Sequence, residues 1–385
     1  YSHTEMEDNA MIQIYDVGNR AYEWNGDASL IPSECVLNAD LNRSWTVSLK
    51  HPRDDDGRWK HIDREAVVVA DTFMGERQRF RIRVYNKSDN GVTATAVPIF
   101  FDSANDCFLM DMRVLGCTGQ QALNLMMNGS AYSGISDITS AATAYFVRRN
   151  LMDAINGDAA PTFIGRWGGE ILYDNNRVII NSRVGSDRGV EVRYKKNIRG
   201  LTYNLDMSNV ATRIVPLSFN GHKISGNTPW VDSPLINRYE IVYYREVAFD
   251  NVRMAEDATG DANEIVCTSQ AELDTALQAQ AEAMFVNGAD KPEVTLKVDL
   301  IALSRTEEYK DYQELEDIGL GDTVHVRHAL LDITTEARAV HIGYDCITKK
   351  VVNVTLGTSG YDMFKTSGSF MHRVSGSFRD DGTVM

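Results

Sequence analysis

In the stretch Arg79-Phe80-Arg81-Ile82-Arg83-Val84, every second residue is apolar and each one between is an arginine. A strand with one face in the core and one in water requires that period of two, whereas a helix would spread the arginines around its buried stripe. The turn signal Asp89-Asn90-Gly91 follows, and Val92 to Val97 resumes as a strand, so this region reads as an antiparallel hairpin. Phe80, Ile82 and Val84 are expected to share one face. Trp45 to Lys50 alternates in the same way, and Val67-Val68-Val69 is a short β-branched run, so residues up to about 110 read as β of the barrel or sandwich kind.

From about 111 to 165 the pattern changes. Thr118-Gly119-Gln120-Gln121 has the spacing of a capping box, and Ala122, Leu125 and Met126 recur at i, i+3, i+4, which predicts a helix. A second short helix is predicted between Asn150 as cap and Gly157 as stop, with the Gly/Ser/Ala/Thr-rich residues 128–142 as a loop. Strands return at Glu170 to Tyr173 and Arg177 to Ile180 around Asp174-Asn175-Asn176. Residues 219–235 and 250–263 read as long connections. Ser269 and Glu272 box the start of a helix that ends at Asn287-Gly288, with Leu273, Leu277 and Met284 on its apolar stripe. Val294, Leu296, Val298 and Leu300 then alternate with polar residues, and further strands are expected at 323–328, 337–344 and 350–356. The result is an α+β chain. It divides into a first β set (1–110), an α/β insertion (111–200), a segment of strands, loop and helix (201–291), a second β set (292–357) and a C-terminal tail or linker (358–385).

Composition narrows the function. The net charge of −15 argues against a nucleic-acid binder, whose affinity rests on neutralising phosphates. No apolar run reaches the roughly 18–20 residues that span a bilayer, and no basic-then-apolar leader opens the chain. The five cysteines, Cys35, Cys107, Cys117, Cys267 and Cys346, form no C-x-x-C pair and read as small buried groups in a chain folded under reducing conditions.

Each motif that invites chemistry has a plainer reading. His325 and His328 lie three apart in one strand and so face opposite ways, which defeats metal chelation. Asp54-Asp55-Asp56-Gly57 has consecutive rather than alternate carboxylates and reads as a solvated turn, not a calcium loop. Asp257, Asp261 and Asn263 lack the turn glycine of such a loop. Gly185-Ser186-Asp187-Arg188-Gly189 lacks the residues of a phosphate cradle, and there is neither an H-E-x-x-H nor a G-x-S-x-G sequence. No catalytic, cofactor-binding or metal-binding residue is assigned, and no cofactor is expected.

Three ordered stretches carry a resemblance. The first is RQRFRIRVYNKSDNGVTATAVPIFFD; the second runs from GGEILYDNNRVIINSRVGSDRGVEVRYKKN to the Thr-Arg-x-x-Pro segment at Thr212; the third is PEVTLKVDLIALSRTEEYKDYQELEDIGLGDTVHV with EARAVHIGYDCITKKVVNVTLG. Together they resemble the N-terminal region of siphophage tail-associated proteins, the prophage endopeptidase tail family, which is similar to the baseplate hubs of contractile phages. The resemblance implies a homotrimer in which two β-barrels per subunit close a pseudo-sixfold ring, matching a sixfold tail tube to a threefold tip. It also implies contact with distal tail, tail tube and tape-measure proteins, and with DNA passing unbound through the lumen, whose surface the net charge of −15 predicts to be acidic. The expected location is the virion tail tip, after assembly in the bacterial host cytoplasm. Family members that cut peptidoglycan do so with a module C-terminal to this region, so the chain is expected to be structural. The competing functions are a tail-associated peptidoglycan hydrolase and a cell-wall or receptor-binding module.

Overall fold

The computed structural model describes residues 12–22, 26–159, 161–193, 198–260, 264–300, 318–328 and 333–357. Among them, thirteen strands hydrogen-bond into a single sheet. Its order begins with Ala28–Leu30, Ile12–Tyr15, Val67–Thr72, Gly75–Ser88, Gly91–Pro98, Trp45–Pro52 and Glu34–Asp40. It then passes to Ile333–Asp345, Lys350–Gly357, Glu293–Leu300 and Ile198–Asp206. Thr323–His328 branches from Ile333–Asp345 and pairs on its far side with Asp187–Arg193. The two β sets legible in the sequence are thus one hydrogen-bonded surface, and among the described residues neither closes on itself.

The junction is a shared strand. Residues 333–338 of Ile333–Asp345 pair with Thr323–His328, and residues 341–345 pair on the same side with Asp40 to Val36. Val340, between the two partners, sits at a bulge and gives its carbonyl to the Leu41 N–H at 2.9 Å. A bulge re-aims a strand, and this one lets a single strand serve two differently directed neighbours.

Alternation is obeyed across the first set: Trp45, Val47, Leu49 and His51 are buried, and the residues between them are not. The expectation for Val84 fails. Phe80 and Ile82 are buried, but a bulge between Ile82 and Val84 shifts the register by one residue and leaves Val84 65% exposed. Gly91 closes the hairpin at φ +141°, where an added Cβ would stand 2.2 Å from the His51 carbonyl oxygen.

The insertion contains more β than the sequence suggested. Both predicted helices form, Gly119–Met126 behind a complete Thr118–Gln121 capping box and Leu151–Asn156 behind Asn150. However, Phe108–Cys117 and Ala142–Asn150 make an antiparallel ribbon, and Ser133–Ile135 crosses the predicted loop to pair with Arg177–Asn181. Irregular alternation hid this ribbon: Phe108, Met110, Leu115, Tyr145 and Val147 are apolar yet exposed. Trp45 locks the insertion to the first set, packing edge-on against Tyr173 at 5.4 Å and tilted against Phe73 at 5.3 Å.

Residues 207–291 build a smaller unit in which Arg213–Ser218 and Tyr244–Phe249 run parallel. The region read as a 250–263 loop contributes a strand, Val252–Met254, paired with Ile265–Cys267. Helix Gln270–Val286 covers these strands with Leu273, Leu277, Ala281 and Phe285. Met284 stands at the flank of that stripe and is only partly buried. Ser269 caps Glu272 as expected, but the Glu272 carboxylate takes the N–H of Thr268, one residue outside the box, at 2.7 Å.

Trp45→Ala would empty a fully buried site between the sheet and the insertion, and is expected to cost about 3–5 kcal/mol. Equilibrium denaturant unfolding of the variant against the parent measures this.

Candidate functional site

The residues flagged for chemistry do not converge. His325 sits on the outer face between Asp187 (3.1 Å) and Glu336 (3.3 Å), while His328 points into the core beside Val324 and Val326. Asp54 caps the backbone N–H of Arg58 at 2.9 Å, and Asp56 pairs with the same arginine at 2.6 Å, so the Asp54-Asp55-Asp56-Gly57 segment serves as a turn. Asp257 accepts from Asn220 at 2.7 Å and faces His222; Asp261 and Asn263 lie outside the described residues. No group of three or more His, Cys, Asp or Glu side chains gathers as a metal site among the described residues. An open polar groove of about 510 Å³, lined by Asp40, Glu293, Lys297 and His341 among others, crosses the joint of the two sets.

What does converge is a structural clasp. Gly185-Ser186 crosses Gly321-Asp322 so closely that a Cβ at Gly185 would lie 2.2 Å from the Gly321 carbonyl carbon. Both glycines have positive φ, +73° and +86°, so neither position accepts an ordinary side chain. Buried Asp322 accepts from the N–H of Ser186 at 2.7 Å and of Gly319 at 2.8 Å. Alongside, Arg338 grips Glu170 with two bonds of 2.6 and 2.8 Å and reaches the carbonyls of Val184 (3.0 Å) and Gly321 (3.2 Å). The Glu170 side chain is 5% exposed and also accepts the Val184 N–H at 2.7 Å. The Gly-flanked turn and the Leu-Gly-Asp-Thr-Val string, read separately in the sequence, are the two halves of this clasp. Sequence reasoning missed the Glu170–Arg338 pair, since 168 residues separate its members and neither stands in a local motif.

The second feature is the pair of sheet ends. Among the described residues, Ala28–Leu30 and Ile198–Asp206 each pair on one side only. On the latter, Leu201, Tyr203 and Leu205 stand opposite Val298, Leu296 and Val294 and so share their core-facing side. Leu296 and Val298 are sealed, whereas Tyr203 and Leu205 are 41% and 46% exposed. The apolar row of the sheet therefore runs past the edge of the core into the open, on a strand with no second partner among the described residues. Such an edge is a template for another strand or chain.

These features match a known class of molecule. The fold is that of prophage tail proteins. It is similar to prophage tail protein gp18 of Listeria monocytogenes EGD-e (15% identity, TM-score 0.56), with 95% of this chain and 98% of that one covered. It is also similar to the 43 kDa tail protein of prophage MuSo2 from Shewanella oneidensis (10% identity, TM-score 0.59), with 92% of this chain and 98% of that one covered. A tail protein from Neisseria meningitidis MC58 matches at 11% identity and TM-score 0.54, with coverages of 91% and 97%. Comparison with curated proteins finds no match. The sequence profile of the prophage endopeptidase tail family matches residues 186–367. That segment starts at the clasp serine and takes in the third of the ordered stretches; the Arg79 hairpin lies outside it.

Removing one partner of the clasp pair strands the other as a buried charge. Glu170→Gln or Arg338→Met is expected to destabilise the fold by about 3–5 kcal/mol, and the double variant by less than the sum, which a double-mutant cycle in urea measures. The acid limb of stability is also defined. Partial burial at Asp71 and Asp174 opposes ionisation. It is outweighed at Asp71 by the Arg77 N–H and the Lys349 ammonium, and at Asp174 by Arg177 and Gln78, so both carboxyls lie below their usual range. The unfolded chain then binds protons that the folded chain does not, so stability is full above the ordinary carboxylate range and falls as pH drops through it. Thermal melts between pH 7 and pH 3 should show the midpoint falling on acidification. Lys349→Ala should flatten that fall.

Proposed function

We propose that this chain is a structural hub of the phage tail tip, two β lobes with α/β insertions assembled as a homotrimer. The two open sheet ends carry the reading. Among the described residues the sheet ends at the strand of Tyr203 and Leu205, and a neighbouring copy would bury the apolar row and extend the backbone ladder. The long sheet supplies a wall for a channel, and the strong acidic balance of the chain suits a lumen along which DNA moves without adhering. The fold shared with prophage tail proteins and the family segment at 186–367 support placing it there, against distal tail, tube and tape-measure proteins. The family name includes an endopeptidase, but the flagged residues that the structure describes, His325, His328, Asp54, Asp56 and Asp257, are occupied in turns, ion pairs and core. A structural role is therefore favoured over peptidoglycan hydrolysis.

Light scattering across a concentration series should give a mass near 129 kDa, three times 43.0 kDa. Tyr203→Lys with Leu205→Lys should shift it toward 43.0 kDa while the melting temperature of the subunit stays within a few degrees. A parent chain that stays monomeric at every concentration and in the presence of tail tube protein would overturn the hub. Turnover of purified peptidoglycan by the parent chain would overturn the non-enzymatic part.

A further inference from the structure

Cys35 and Cys346 meet where the first β set joins the last. Val36 pairs with Asp345, so the next position of the antiparallel ladder sets Cys35 opposite Cys346. The Cys346 N–H donates to the Cys35 carbonyl at 2.8 Å. A hydrogen-bonded antiparallel pair has its Cα atoms about 5.5 Å apart, inside the Cα span of a disulfide, and its side chains leave the sheet on one face. Here both thiols are free and fully buried, and the Cys346 thiol donates to the Tyr344 carbonyl at 3.9 Å. Cys107, Cys117 and Cys267 stand outside this ladder.

We propose that Cys35 and Cys346 form a redox-active dithiol, which closes to a disulfide when the folded protein meets a small-molecule disulfide oxidant. One thiolate attacks the oxidant, forming a mixed disulfide and releasing one thiol. The second cysteine thiolate then displaces the other half, so two protein S–H bonds are exchanged for one S–S bond and the oxidant leaves as two reduced thiols. Access comes through the turn that Cys346 opens. Asp345 holds that turn by the Ile347 N–H (2.9 Å) and the Thr348 hydroxyl (2.8 Å), and it leads through Lys349 at φ +55° into the next strand. The hydrogen bond with Cys346, followed by burial, raises the Cys35 thiol well above its usual pKa, so the reaction is slow at neutral pH and quickens as pH rises. Its consequence rests on the tail-tip reading. A particle assembled in reducing cytoplasm and released into an oxidising medium would acquire a covalent tie across the joint of its two β sets.

The test needs no knowledge of the particle and so fails independently of the hub. The purified, folded chain is incubated with glutathione disulfide at pH 8.5, then denatured and its thiols counted. The count should fall from five to three. The chain should lose the mass of two hydrogen atoms, and proteolysis should yield one linked peptide containing Cys35 and Cys346. The oxidised chain should melt several degrees higher than the reduced one, and dithiothreitol should reverse the shift. Five free thiols after prolonged oxidation, stable adducts of glutathione in place of a bridge, or a bridge involving Cys107, Cys117 or Cys267 would each overturn the proposal. Reading the bridge in the parent chain avoids dependence on Cys35→Ser or Cys346→Ser, either of which places a hydroxyl in the core.

Discussion

The grip of Arg338 on Glu170 holds together parts of the chain that no local signal connects. Desolvating a guanidinium and a carboxylate is costly, and such a pair survives burial only when geometry and extra hydrogen bonds satisfy the remaining donors and lone pairs. Here that condition is met: the arginine also spends N–H groups on the carbonyls of Val184 and Gly321, and the glutamate takes the Val184 N–H. The same bonds fix the insertion, the Gly185 turn and the Gly321 turn relative to one another. With those turns fixed, Asp187–Arg193 is placed beside Thr323–His328, and the sheet gains its branch. An apolar substitute would fill the space, but would not dictate which backbone carbonyls lie where.

The rest of the architecture follows from one strand doing two jobs. Ile333–Asp345 gives its first half to Thr323–His328 and its second to Glu34–Asp40, with Val340 absorbing the change of direction. Several cross-links gather on the second half and the turn that follows it: His341 with Asp40 at 2.8 Å, Lys349 with Asp71 at 3.0 Å, and the Cys346 N–H with the Cys35 carbonyl. The two β sets are consequently one hydrogen-bonded body, whose strand order ends, among the described residues, at Ala28–Leu30 and Ile198–Asp206.

Much of this was legible in the sequence because it is local. The Arg79 hairpin, the Thr118 and Ser269 caps, the Asn150 helix and the opposite faces of His325 and His328 all depend on residues within a few positions of each other. The failures have physical causes too. Val84 was assigned inward because a bulge leaves no mark in an alternating string. The Phe108 and Ala142 strands went unread because exposed apolar residues break the two-residue period that identifies a half-buried strand. The Glu170–Arg338 pair and the exposed row at Tyr203 were invisible for a different reason. Each is defined by a register between segments nearly a hundred residues or more apart, and identical alternation is compatible with any register.

The shared strand also sets the order in which this protein comes into being. Asp40 is made early, and its partner His341 emerges 301 residues later. Until then the Glu34–Asp40 strand has a neighbour on one side and a bare backbone on the other. On a ribosome adding about 5–20 residues per second, that bare edge persists for tens of seconds. Contacts so distant along the chain pay their loop-closure entropy before any reward, which slows the final step of folding. The newborn chain is therefore exposed to sticking, to itself or to its neighbours on the polysome, until the Ile333–Asp345 strand arrives to cover that edge.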